Sequence, residues 1–241
     1  MERIVELDRV GASYEGEAVP TLYDVDLCVG AGERIAIIGP NGAGKTTLLE
    51  VVNGLLPATS GAVRVFGESM RDHGHRLRTR IAYVPQSLFF APETPFLVRD
   101  VVIAARFALL GRIRWPGRRD RAAVGEALAA VRAVDLGGRP IGRLSGGQQR
   151  KVLLARAVAQ GAELLLLDEP TANLDPEAKD EVARLVRQIE REMIATSLLV
   201  SHEGGPLIDG ADRLLRIETG RITHDGPVAE VRAALSGVGS R

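Results

Sequence analysis

A single run, Gly39-Pro40-Asn41-Gly42-Ala43-Gly44-Lys45-Thr46, leaves this chain few folds to choose from. It fits the phosphate-loop pattern G-x-x-x-x-G-K-[ST], and its flanks fit too: an apolar run, Arg34–Ile38, precedes it and an apolar-faced helix opens near Lys45. Glycines let successive backbone N–H groups turn inward around an anion, and the N-terminus of the following helix adds a favourable dipole. Lys45 is then expected to bridge β- and γ-phosphates and Thr46 to offer its hydroxyl to Mg²⁺, with Thr47 completing the phosphate-binding stretch. A strand feeding such a loop requires an open, mostly parallel sheet with its ligand at the carboxyl ends of the strands.

The rest of the sequence supplies that sheet. Ile4–Val10, Ala62–Phe66, Ile81–Val84, Leu164–Leu167 and Ser197–Val200 read as strands, and Gly54 as the glycine closing the helix begun at Lys45. Helices are expected at Val98–Leu110, Arg121–Val134, Leu144–Gln160, Glu177–Glu192 and Val228–Leu235, with a hairpin around Glu218–Arg221. Between the first two of these helices runs a basic connector, Gly111 to Asp120, containing Trp115. Strands alternating with helices imply an α/β domain, and the helical middle implies an inserted subdomain. Leu164-Leu-Leu-Leu-Asp168 delivers a carboxylate at a strand end, a candidate Mg²⁺ ligand opposite Thr46, and Glu169 stands next to it to polarise an attacking water.

Composition narrows the function. Acidic and basic residues balance at 31 each, so no net field points to nucleic acid, and Arg112–Arg121 reads as a solvated or membrane-proximal loop. Cys28 is the only cysteine, which excludes a thiolate metal cluster and an internal disulfide. His73 and His75 have no acidic or cysteine partner at metal-ligand spacing and read as surface residues. No apolar run approaches the roughly 18 residues needed to span a bilayer, and the N-terminus lacks a secretory h-region.

Beyond the loop, Leu144-Ser145-Gly146-Gly147-Gln148 is similar to the signature sequence of ABC ATPases, Ala172-Asn-Leu-Asp175 resembles their D-loop, Val84-Pro-Gln86 their Q-loop, and Ser201-His202 their switch histidine. Tyr14 matches the aromatic residue that stacks on adenine. The motifs occur in family order from about Ile4 to Val231. The resemblance implies one ABC ATPase domain over residues 1–241: a P-loop NTPase core with an antiparallel β subdomain (1–90 and 160–241) and a helical subdomain (about 91–159). It implies ATP and Mg²⁺ as cofactors, and two copies sandwiching two ATP molecules head to tail. Ser145 and Gly147 of one copy, with Gly146 and Gln148 beside them, then face the γ-phosphate held by the other. Glu169 is the implied general base, His202 touches the γ-phosphate, Gln86 reaches Mg²⁺ or the water, and Asp175 couples the two sites. After His202 this chain departs from the family with Glu203-Gly204-Gly205-Pro206, a poor helix start.

A stand-alone domain of this kind resembles the ATPase subunit of a prokaryotic importer, peripheral on the cytoplasmic face of the inner membrane. The implied partners are integral-membrane permease subunits, a second ATPase copy and, indirectly, a substrate-binding protein, with no nucleic acid. The apolar stretch Ser87–Val98 is expected to line the groove receiving a permease helix. Pro95–Val102 resembles ATPases of zinc, manganese and iron-chelate importers. The alternatives are the ATPase of a lipid, lipoprotein or drug exporter, and a non-transport ABC ATPase acting on nucleic acid or ribosomes.

Overall fold

The computed structural model describes residues 2–17, 19–86, 90–110, 115–194, 196–201 and 207–238, with residues 237 and 238 described by backbone alone. In chain order the elements are β1 (Arg3–Ala12), β2 (Leu22–Gly30), β3 (Arg34–Ile38), α1 (Lys45–Asn53), β4 (Ser60–Val65), β5 (Glu68–Ser69), α2 (Met70–Leu77), β6 (Ile81–Val84), α3 (Val98–Leu110), α4 (Arg118–Ala130), α5 (Gly146–Gln160), β7 (Leu164–Asp168), α6 (Pro176–Glu192), β8 (Thr196–Val200), β9 (Arg213–Glu218), β10 (Arg221–Pro227) and α7 (Val228–Val238).

Two sheets result. The larger runs β10-β9-β3-β8-β7-β6, parallel except for the β9–β10 hairpin. The smaller is antiparallel in the order β2-β1-β4-β5. The aliphatic run of β7 shows why the large sheet is covered on both faces. Leu164 and Leu166 pack with Leu48, Leu49 and Val52 of α1, whereas Leu165 and Leu167 pack with Leu153 and Leu154 of α5 and Val182 and Val186 of α6. Period-two alternation thus feeds two cores, as a buried parallel strand requires. The adjacent, parallel strands β6 and β7 are joined by the long helical excursion carrying α3, α4 and α5.

Several elements depart from expectation. Helix α4 begins at Arg118 and stops at Ala130, earlier at both ends than the stretch Arg121–Val134. The earlier start follows from Asp120, whose Oδ2 accepts from the Gly117 amide at 2.9 Å while its Oδ1 pairs with the Arg106 guanidinium at 3.1 Å. A carboxylate in the first turn both caps and complements the helix dipole. The last residues of the basic connector are therefore helical, its Gly111–Arg114 portion lies outside the described residues, and Trp115 stands 83% exposed with its ring edge-on to Phe107. His73 and His75 lie exposed on α2.

Candidate nucleotide site at the carboxyl ends of the sheet

Strands β3, β6, β7 and β8 all end at one edge, and each hands over a residue singled out from the sequence. From β3 the chain enters Gly39 at φ 149°, a residue that cannot carry a side chain here because a Cβ would sit 2.1 Å from the Ile217 carbonyl oxygen. Pro40, Asn41, Gly42 and Ala43 follow, with the Ala43 amide donating to the Pro40 carbonyl at 3.3 Å. The loop closes on Gly44, in left-handed conformation as the N-cap of α1. Lys45 is buried, its Nζ donating to the carbonyls of Gly39 and Pro40 at 2.8 and 2.9 Å. A lysine folded onto its own loop keeps an ammonium beside the glycine cradle with no ion-pair partner among the described residues. That is the arrangement an arriving phosphate can use.

The carboxylate from β7 completes this corner. The Thr46 hydroxyl donates to Asp168 Oδ2 at 2.9 Å. Asp168 is 1% exposed, and among the described residues its Oδ1 has no hydrogen-bond partner. Burial pushes its pKa above the ordinary carboxylate value, the Thr46 hydrogen bond opposing and Glu169 reinforcing the shift. An orphaned, buried carboxylate oxygen is costly unless something positive meets it. Hard oxygens from a hydroxyl and a carboxylate suit Mg²⁺, which takes few protein ligands and fills its shell with water and phosphate oxygens.

Glu169 follows at φ 45°, a left-handed backbone that is strained for a side chain of this size. Its amide donates to the Val200 carbonyl and its carbonyl accepts from Ala172, so strand β8 and the next turn hold it in place. The Glu169 carboxylate, itself buried, accepts from Gln86 Nε2 at 2.8 Å. The expected base and the expected Q-loop glutamine are thus brought together. The Gln86 amide nitrogen is committed to Glu169, whereas the expected Mg²⁺ contact is one for its amide oxygen. From β8, the Ser201 amide donates to the Ile37 carbonyl at 3.1 Å. His202 and the Glu203–Pro206 departure lie outside the described residues.

Tyr14 reaches the same end of α1 from the antiparallel sheet. Its hydroxyl donates to Glu50 Oε2 at 2.7 Å and shares a hydrogen bond with Thr47 Oγ1 at 3.2 Å. Burial, with Glu50 nearby, raises the phenol above its ordinary value.

The signature residues form a separate surface. Exposed Ser145 caps α5, its Oγ accepting from the Gln148 amide at 3.3 Å while its own amide donates to Gln148 Oε1 at 3.1 Å. This reciprocal box leaves the amides of Gly146 and Gly147 at an exposed helix N-terminus, where backbone donors and the helix dipole favour an anion. Gly147 is closely packed, since a Cβ there would approach the Ala178 Cβ at 3.1 Å. Asp175 is exposed and caps α6, accepting from the Ala178 amide at 2.9 Å.

Of the apolar stretch after Gln86, positions 87–89 lie outside the described residues. Phe90 packs against the core and Val98 is fully buried, leaving Phe96, 60% exposed, on the surface. Sequence reasoning missed Gln149 and Arg150, two buried polar residues of α5 bonded to Phe90 and to Pro85 and Gln86 respectively. Their only signal was polarity on a helix otherwise turning apolar.

Comparison with known proteins finds relatives in both sequence and fold. The family model described as ABC transporter matches residues 22–172. The hemin import ATP-binding protein HmuV of Streptomyces coelicolor is 42% identical over 89% of this chain and 75% of its own. The lipoprotein-releasing system ATP-binding protein LolD of Anaeromyxobacter dehalogenans is 41% identical over 92% of this chain and 94% of its own. Among solved structures, cbiO1 of Clostridium perfringens, part of the ABC transporter complex cbiONQ, superposes with a TM-score of 0.82 at 27% identity, covering 99% of this chain and 94% of that one.

Proposed function

This chain belongs to the ABC transporter family as an ATP-binding, ATP-hydrolysing subunit, and we propose that two copies clasp two MgATP molecules head to tail to drive a membrane permease. The observation that carries this reading is the unsatisfied Asp168 oxygen beside Thr46, at the mouth of a glycine loop that already holds an ammonium. In this reading the amides from Gly39 to Thr47 and the Lys45 ammonium hold the phosphates, and Tyr14 presents its ring to the adenine. Thr46 and Asp168 hold Mg²⁺. When bound, the ion neutralises charge on the β- and γ-phosphate oxygens.

Glu169 then orients a water and takes its proton, with Gln86 Nε2 holding its carboxylate in place. His202 contacts the γ-phosphate. The second copy supplies what one chain lacks: its Ser145 hydroxyl and the α5 N-terminal amides at Gly146 and Gly147 meet the γ-phosphate, with Gln148 supporting Ser145 and Asp175 carrying the state of one site to the other. Hydrolysis becomes conditional on pairing, because the donors that stabilise the developing charge come from two molecules.

Glu169→Gln tests the assignment. It should bind MgATP normally, accumulate as a nucleotide-dependent dimer in light scattering, and lose turnover by roughly 10²–10⁴-fold, the usual contribution of a positioned base. Normal turnover, or a monomer at saturating MgATP, would reject it.

No helix among the described residues is long and apolar enough to cross a membrane, and we place the chain on the cytoplasmic face through its permease. A groove of about 310 Å³ beside Tyr83 and Pro85 is lined by Ala104, Ala108 and Leu153 together with Arg78, Arg156 and Gln160, and no described residue of the stretch 87–98 borders it. Likeness to HmuV and the Pro95–Val102 stretch support import of metal ions or metal chelates, with a substrate-binding protein acting indirectly. Likeness to LolD favours lipoprotein release as the second reading. Co-purification of the permease followed by vesicle assays separates them: ATP-dependent hemin, Zn²⁺ or Mn²⁺ accumulation supports import, and lipoprotein release without it sinks import.

A further inference from the structure

Two consecutive side chains of α5 hold the backbone of Pro85, Gln86 and Phe90, the residues on either side of positions 87–89, which lie outside the described residues. Arg150, 2% exposed, donates from Nη1 to the Pro85 carbonyl at 2.8 Å and from Nη2 to the Gln86 carbonyl at 3.0 Å. Gln149 accepts from the Phe90 amide at 3.0 Å, and its Nε2 lies 3.3 Å from each of the carbonyls of Phe90, Ile141 and Leu144. A buried guanidinium must find acceptors, and its rigid fork can span two neighbouring carbonyls as a lysine cannot. The residue so gripped, Gln86, is the one whose side chain holds Glu169. The same helix begins at the Ser145 cap.

We propose that Arg150 is a positioning residue for ATP hydrolysis: by fixing the Pro85 and Gln86 carbonyls it sets where the Gln86 amide stands, and through it the Glu169 carboxylate. If two copies pair as proposed above, α5 of one chain touches the γ-phosphate in its partner's loop while gripping the Gln86–Glu169 pair of its own site. Arg150 is then the joint through which occupancy of one site is felt at the other.

The experiment is a double-mutant cycle on the full chain at saturating MgATP, with Arg150→Gln, Arg150→Lys, Gln86→Ala and the combined variants, reading kcat and nucleotide Kd separately. Arg150→Gln should lower kcat by roughly tenfold to a hundredfold, as expected for losing hydrogen bonds from a charged group, and leave Kd within about twofold because the loop at 39–47 is untouched. Arg150→Lys should retain part of the rate. In the Gln86→Ala background, Arg150→Gln should cost little more, since residues acting through one another are not additive. A wild-type kcat for Arg150→Gln, or losses that multiply in the double variant, overturns the proposal and leaves Arg150 a packing residue. If Arg150→Gln fails to fold by its melting curve, Arg150→Lys carries the same cycle. Non-additivity with Gln86 needs no pairing of copies, so a Glu169→Gln protein that stays monomeric would remove the inter-site consequence and leave the positioning role standing.

Discussion

The two surfaces proposed to face phosphate are built in opposite ways. Around Lys45, Thr46, Asp168 and Glu169, every group is buried or half-buried and tied to another strand end, with one carboxylate oxygen left over. At Ser145–Gln148, among the described residues, the two side chains satisfy each other's backbone and Ser145 lies exposed at the helix end. The first arrangement stores unfavourable electrostatics that a metal nucleotide would relieve. The second stores nothing and is stable alone. A site divided this way can bind with one half and be triggered by the other.

Asp168→Asn presses hardest on this contrast. Hydrolysis should fall by roughly 10²–10³-fold, the scale of losing one preorganised electrostatic partner. The nucleotide-free fold should nevertheless become more stable at neutral pH. Burial raises the native pKa of Asp168 above its unfolded value, so its contribution to stability is fully present below the unfolded pKa and is lost as pH rises through the native one. Asparagine has no such loss, and thermal melts from acid to neutral pH should show the variant overtaking wild type as pH rises. A variant less stable than wild type at neutral pH would mean that the carboxylate is satisfied by the protein.

At the open surface the effect should be smaller and reversed in kind. Ser145→Asp preserves the helix cap but sets a negative charge against the partner's γ-phosphate. We expect an unchanged melting temperature and kcat reduced roughly tenfold to a hundredfold, whereas Ser145→Ala should cost about 1 kcal/mol of stability by losing the cap. An aspartate variant as active as wild type would show that the α5 N-terminus meets no phosphate. Smallest of all, Tyr14→Phe keeps the ring and loses the bonds to Glu50 and Thr47. Stability should drop by about 1 kcal/mol with ATP affinity within about twofold, measured by calorimetry. A much larger loss of affinity would give the hydroxyl, not the ring, the contact with nucleotide.

How much of this was readable beforehand depended on whether local pattern and tertiary role coincide. Strands β3 and β6 and helix α3 fall at their expected bounds because glycine or turn residues punctuate continuous apolar runs. Strand β2 escaped notice although Leu22, Val25, Leu27 and Val29 are buried. Its alternation is broken at Asp24, which adopts φ 51° and shifts the inward face by one residue. Helix α2 was also missed: Gly74 interrupts it, and it buries only Met70, Gly74 and Leu77. Its support is tertiary, Met70 lying against Gly54 at the end of α1. In the site, the identities of Thr46, Asp168, Glu169 and Gln86 were legible as motifs, and the structure adds that Gln86 holds Glu169. The Arg150 and Gln149 contacts could not be foreseen, since polar residues on a helix look the same in sequence whether they meet water or backbone carbonyls.

The glycine loop leans on the far end of the chain. The Gly220 amide donates to the Ala43 carbonyl, the Tyr23 amide to the Gly220 carbonyl, and the Ile217 carbonyl lies where any Cβ on Gly39 would fall. The β9–β10 turn is therefore a buttress: it carries no nucleotide-reading side chain, yet it sets the floor on which the anion cradle rests. A fragment ending before β9 would retain the phosphate loop, the β7 acids and the signature while losing the wall that keeps the cradle open, so the working unit of this protein extends past the last residue with a chemical task.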